Sequence, residues 1–305
     1  MDTDVGRALA IRDCQRLKID LDIRQQIFNG VKTIRIPAGS RMFWSWFCGI
    51  ARSGCAVELS EYPCDHHYPP VGRAVALWFS GGCESTYTLD VIRELDPDLL
   101  RIEDFELFES EHRRHGQIHF LCAAIAAALG YRITYLGVER NDLLLPRIGR
   151  GGQYLERSAA FLDAWSAYLG DRSLLSVCRD FTKEEILQKV AERGLRLTGT
   201  CDNCKDGNWC GDCFKCYEAF YAAKAVGVSL PISLKIAAFD RYNSEYRNYI
   251  ASGFQDNFNN AQQFFLRLQV IYGVRFDREA DCGADGAGTR AQPPRSARNA
   301  SHAQV

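Results

Sequence analysis

No apolar run in this 305-residue chain is long enough to cross a bilayer. The longest near the N-terminus, Met42 to Ile50, falls far short of the ~20 residues a spanning helix needs. The first twenty residues carry charges throughout and lack an apolar core segment, so no secretory signal is expected and a cytoplasmic location is. Charge of one sign is lacking too: 37 Lys and Arg face 38 Asp and Glu, a formal net charge of -1. That balance argues against a partner as anionic as tRNA or DNA, which demands a basic face. There is no internal repeat, no Walker A loop and no GxGxxG fingerprint, which sets aside solenoids and two large nucleotide-binding classes.

With 47% hydrophobic and 25% charged residues, the chain can bury a sizeable core. Ala74 to Phe79 reads as a short buried strand, followed by Gly81, Gly82 and a helix from about Glu84 to Leu95 that Asp96-Pro97 ends. Residues 116–129 read as a buried helix closed by Gly130, and Tyr131 to Val138 as a second parallel strand. Further helices are expected over Leu155–Leu169 and Thr182–Arg193, the latter opened by a Thr182/Glu185 capping box. Phe220 to Gly227 continues a helix after the cysteine-rich segment. This alternation predicts an α/β fold with a doubly wound, mainly parallel sheet. Upstream, a strand is expected around Thr33–Ile36. The aromatic segment Arg41–Cys48 reads as a buried edge element, and Cys64-Asp65-His66-His67 as a polar loop closed by Pro69 and Pro70.

The sharpest local pattern is Phe79-Ser80-Gly81-Gly82-Cys83-Glu84-Ser85-Thr86, set between a buried strand and a helix. Two glycines let the backbone turn tightly and bring its N–H groups against an anion. The helix behind adds free N–H donors and the positive end of its dipole. Ser80, Ser85 and Thr86 supply hydroxyls.

The second pattern lies among the thirteen cysteines, five of which crowd between Cys201 and Cys216. Without a secretory signal, that clustering reads as metal binding rather than disulfides. Cys210, Cys213 and Cys216 stand at successive CxxC spacings, with Gly211 permitting the turn. With Cys201 as fourth ligand they make a closed, structural zinc site of four thiolates. Cys204 can replace Cys201 or stay free as a nucleophile, and an iron–sulfur cluster is the alternative occupant.

Ser80-Gly81-Gly82-Cys83-Glu84-Ser85 resembles the SGGxDS signature of the PP-loop (N-type) ATP pyrophosphatases, with Glu84 where that family usually has Asp. Together with Cys201, Cys210, Gly211, Cys213 and Cys216, the pattern resembles the 7-cyano-7-deazaguanine synthases of queuosine biosynthesis. So do Gly116–Leu121, Leu136-Gly137-Val138-Glu139 and Phe181-Thr182-Lys183-Glu184-Glu185, so the likeness covers roughly residues 74–228. The segment from Asn208 to Cys216, with Glu139-Arg140, Gly152-Gln153-Tyr154 and Arg157-Ser158, also resembles the ATP-dependent epimerases of UDP-MurNAc-dipeptides.

These resemblances imply a substrate carboxylate activated by AMP transfer from ATP. They assign Phe79 to Thr86 to the cofactor, Ser80, Glu84 and Ser85 to catalysis, and Glu84 to Mg²⁺. Glu139, Arg140, Asp142, Tyr154 and Arg157, with Arg147 beside them, are the expected substrate contacts. The expected substrate is a small deazapurine or peptide-like carboxylate, and a homodimer is compatible with the sequence. A tRNA-modifying enzyme and a non-catalytic nucleotide-binding protein are the competing readings. The expected organisation is an N-terminal region over 1–70 and a catalytic domain over 71–228 that includes the zinc loop 201–216. A helical extension over 229–281 and a disordered tail over 282–305 complete it.

Overall fold

The computed structural model describes residues 4–51, 56–101, 104–105, 118–140, 156, 158–198 and 208–235. Four short strands form a parallel sheet in the order β4-β3-β5-β6: β3 is Arg73–Trp78, β4 Asp98–Leu100, β5 Tyr131–Tyr135 and β6 Ser173–Leu175. Trp78 pairs with Leu100 on one side, and Leu77 with Tyr135 on the other. The expected α/β class with a parallel sheet is therefore present. The second strand is shorter than Tyr131–Val138, because the backbone leaves the ladder after Tyr135.

Parallel crossovers are right-handed as a rule, so the strand order divides the helices between the two sheet faces. From β3, the chain passes through α4 (Cys83–Ile92) to β4 at one edge. It then returns through α5 (His119–Ala128) across β3 to β5, and continues through α6 (Ala159–Leu169) to β6 at the opposite edge. Because α4 runs one way and α5 and α6 the other, they belong on opposite faces. The packing agrees: α5 and α6 share one apolar cluster, whereas Cys83 and Tyr87 of α4 belong to another. That second cluster also holds residues of α7 (Lys183–Glu192) and α8 (Phe214–Ala225).

The N-terminal region is part of this core rather than an appendage. Helices α1 (Asp4–Asp13) and α2 (Gln15–Phe28) precede a βαβ unit, in which β1 (Thr33–Pro37) pairs in parallel with β2 (Glu58–Tyr62) across α3 (Arg41–Ala51). Phe120 to Ala128 are buried on every side of α5, so the sheet can cover only one of its faces. The N-terminal region supplies further cover: α2 packs on α5, and α3 on α6. The aromatic segment at 41–48 is a helix whose one face, Phe43, Trp44, Phe47 and Cys48, is buried, while Met42 is exposed. Trp44 and Phe47 are fully enclosed, and Phe43 stacks on Tyr168 with ring centroids 4.5 Å apart.

Polar ties cross the same contact. The α2 row Arg16, Asp20 and Arg24 is buried. Asp20 accepts hydrogen bonds from Arg16, Tyr68 and Tyr168, while Arg24 pairs with Glu156. Burial, partly offset by Arg16 and the two tyrosines, raises the Asp20 carboxyl to about 6. Of the expected helical extension, the described residues 229–235 form no helix; the remainder and the expected tail lie outside the described residues.

Candidate phosphate and metal site

The strand order places a topological switch point between β3 and β5, because the chain leaves their C-terminal ends in opposite directions. The loop from Ser80 to Gly82 occupies that position. Gly81 takes a φ of +75°, and Gly82 is the extended N-cap of α4. Phe79 N donates to Leu100 O at 2.8 Å, which ties the loop to the edge strand. The loop is braced by its own hydroxyls. Gly82 N donates to Ser80 Oγ at 3.4 Å, and the Ser80 and Ser85 hydroxyls lie 3.3 Å apart. Ser85 Oγ donates to Gly82 O and Thr86 Oγ1 to Gly81 O. These bonds hold the hydroxyls at the mouth of a ten-residue helix, where N–H donors and dipole favour an anion.

Cys83 belongs to this loop by its backbone alone. Its side chain is buried in the apolar cluster with Tyr87, Cys178 and Ile186, so the expected ligand contact is left to its backbone N–H. Burial, then the adjacent Glu84 carboxylate, push the thiols of Cys83 and Cys178 up, Cys178 to about 12. Neither has thiolate character.

Glu84 and Lys183 form an ion pair with side chains only 17% and 14% exposed. Burial alone raises a carboxyl, yet the Lys183 ammonium reverses this and holds Glu84 at about 2. Burial disfavours the charge on Lys183, but its acidic neighbours Glu84, Glu139 and Glu218 help raise its pKa well above the ordinary lysine value. Three segments converge here because their backbones approach closely. A Cβ on Gly137, just past β5, would stand 3.0 Å from Glu84 Cβ. Arg140 N donates to Phe181 O at 2.8 Å, and the Thr182/Glu185 capping box fixes the start of α7 so that Lys183 is its first residue.

Of the expected substrate contacts, Glu139 is buried beside this cluster. Arg140 instead pairs with Glu185 at 3.4 Å, with both side chains about half exposed. Asp142, Arg147, Tyr154 and Arg157 lie outside the described residues. Glu218 lies in none of the sequence motifs, and Lys183, though it stands in the Phe181–Glu185 segment, is given no role by the motif reading. The sequence signal for Lys183 is its place immediately after the N-cap of a capping box. For a hard divalent cation such as Mg²⁺, the fitting donors are the ionised Glu84 and its neighbour Glu139.

The cysteine site stands next door. The Sγ atoms of Cys210, Cys213 and Cys216 lie within 4.8 Å of one another. Cys210 and Cys216 are 3.6 Å apart, close to the ~3.8 Å edge of a tetrahedron with zinc–sulfur bonds of ~2.3 Å. Three thiols outside any disulfide at that spacing fit zinc, and Asp212 N donates to Cys210 Sγ at 3.3 Å. Gly211 makes the turn with a φ of +63°, and Lys235 N closes on its carbonyl at 2.9 Å. A Cβ there would stand 1.8 Å from Ser233 O, so no other residue fits. Cys201 and Cys204, the expected fourth ligand and its alternative, lie outside the described residues. Cys213 is the N-cap of α8, and Glu218 lies two residues beyond Cys216, so one helix and its cap carry two of the thiols and an acidic neighbour of Lys183.

Among the described residues, no helix is long and apolar enough to cross a membrane. Comparisons with protein-family profiles, characterised proteins and solved structures find no match to this chain.

Proposed function

We propose that the chain binds ATP at the Ser80–Thr86 loop and transfers AMP to a substrate carboxylate, releasing pyrophosphate. The observation that carries this reading is the placement of a Ser-Gly-Gly turn, at the head of α4, on the switch point between β3 and β5. Parallel α/β sheets bind ligands at such a crevice. Here an ammonium, Lys183, lies beside the loop, paired with Glu84.

A carboxylate oxygen of the substrate attacks the α-phosphorus, and the bond to the bridging oxygen of the β-phosphate breaks. The electron pair leaves with pyrophosphate, and an acyl adenylate remains. Backbone N–H groups of Gly81 to Ser85, with the Ser80, Ser85 and Thr86 hydroxyls, bind the leaving group. Such preorganised donors, rather than covalent catalysis, lower the barrier of a phosphoryl-type transfer. Glu84 and Glu139 would hold Mg²⁺, which supplies positive charge against the leaving phosphates. Cys210, Cys213 and Cys216 would hold zinc as a structural ion that fixes the start of α8.

The substrate class we favour is a deazapurine carboxylate such as 7-carboxy-7-deazaguanine, on the resemblance of both motifs to the 7-cyano-7-deazaguanine synthases. Pyrophosphate–ATP exchange tests this, with 7-carboxy-7-deazaguanine in one reaction and UDP-MurNAc-L-Ala-L-Glu in another. Exchange with the first is the expected result, and exchange with the second alone would assign the epimerase-like chemistry. Silence in both, with ATP still bound, would remove both named substrates.

A further inference from the structure

Lys183 has one direct carboxylate partner and two more close by. Glu84 pairs with it, and Glu139 and Glu218 add to the acidic surroundings that hold its proton. A polyphosphate approaching so acid-rich a cluster meets repulsion unless a cation accompanies it. The same polyphosphate carries more charge than one carboxylate and competes strongly for the ammonium. Lysine is a point charge on a flexible stem, able to change partners without moving its backbone. That backbone is anchored by the Thr182/Glu185 capping box and by the Arg140 N to Phe181 O bond.

We propose that the Glu84–Lys183 pair is a latch opened by a bound polyphosphate. Lys183 passes to the phosphate oxygens, and the released Glu84 carboxylate turns to the divalent cation that arrives with them. The latch rests on the ATP reading above and adds to it a positioning residue and an obligatory cation. It assigns the Glu84 side chain two successive partners, which a purely structural ion pair does not have.

The test is calorimetric binding of inorganic pyrophosphate to the full-length protein, in magnesium and in magnesium-free buffer without chelator, so that any zinc stays in place. Wild-type protein binds at least about tenfold tighter with magnesium, a difference of about 1.4 kcal/mol. Glu84→Gln tightens magnesium-free binding, because Lys183 is then held less firmly and one repelling charge is gone, while the magnesium effect shrinks. Lys183→Met loses about thirtyfold or more in both buffers, as expected for removing one partner of a desolvated charge contact. Should Lys183→Met fail to fold, the neutral pair Glu84→Gln/Lys183→Met replaces it, with the same expected loss of binding relative to Glu84→Gln alone.

The opposite signs separate the latch from a structural role. Weaker or unchanged magnesium-free binding by Glu84→Gln overturns the latch, as does full binding without Lys183. Wild-type protein silent toward both ATP and pyrophosphate overturns the nucleotide reading itself.

Discussion

The Arg24 guanidinium and the Glu156 carboxylate meet at 2.5 Å in the core, with side chains 2% and 0% exposed. The second carboxylate oxygen accepts from Phe120 N at 3.1 Å, so one acid holds α2 and the first turn of α5 together. Arg24 also lies over the rings of Phe28 and Phe120. Removing one partner of such a pair strands the other charge without water. Glu156→Ala is expected to cost about 3–5 kcal/mol of folding free energy, read from urea denaturation. An Arg24→Met/Glu156→Leu double variant should lose much less than the two single changes combined.

Asp20 gives a pH signature. Its folded pKa of about 6 lies above the ordinary carboxyl value of 3.8, so its stabilising contribution is complete below about 3.8. That contribution is lost as pH rises through about 6, where the buried carboxyl must ionise. Measured against Asp20→Asn, the wild-type protein should therefore gain relative stability as pH falls from 7 to 4, by up to about 3 kcal/mol. A flat difference between the two unfolding curves across that range would refute the assignment.

Glu84 titrates with the opposite sign. Its pKa is depressed to about 2, so its contribution is present above the ordinary value of 4.5 and is lost as pH falls toward 2. Compared with Glu84→Gln, the wild-type protein should lose relative stability only below about pH 4.5. Acid titrations of the two proteins, followed by tryptophan fluorescence, check this.

Purified protein should carry about one zinc ion per chain, retained through gel filtration and released by a strong chelator with a drop in melting temperature. Cys213→Ala should abolish retention. Gly211→Ala should lower both zinc content and stability, since the added methyl collides with Ser233 O. Metal analysis together with thermal unfolding reads both effects.

Thr182→Ala removes the hydroxyl that accepts from Glu185 N and should cost about 1 kcal/mol of stability. Because Lys183 is the next residue, pyrophosphate binding should weaken as well. Thr182→Ser should restore both, which binding and unfolding measurements on the three proteins would establish.

Short-range rules made half of this molecule legible. The strand before Ser80, the turn at Gly81 and Gly82, the Thr182/Glu185 box and the CxxC steps all depend on neighbours a few residues apart. The N-terminal region resisted because its decisive contacts are distant. On α2, buried Arg16, Asp20 and Arg24 read as a polar face, since the tyrosines and the glutamate that satisfy them lie far along the chain. Strand β2, Glu58–Tyr62, has no fully buried residue and so no apolar alternation to announce it. Helix α3 is amphipathic, with Phe43, Trp44, Phe47 and Cys48 buried and Arg41, Met42 and Ser45 exposed, but its dense run of aromatic residues also fits a buried edge element. Lys183 could be seen at a helix start, but its partner Glu84 stands 99 residues earlier, and no local pattern joins them.

The Arg24–Glu156 contact also sets a timetable for synthesis. Its two partners are 132 residues apart, so α2 leaves the ribosome long before the acid that neutralises its buried arginine exists. At ~5–20 residues per second the wait is roughly 7 to 26 seconds. Throughout it, α2 and α3 expose the apolar faces that α5 and α6 will later cover. The contacts that finish the folding of the N-terminal region are therefore supplied by residues made after it.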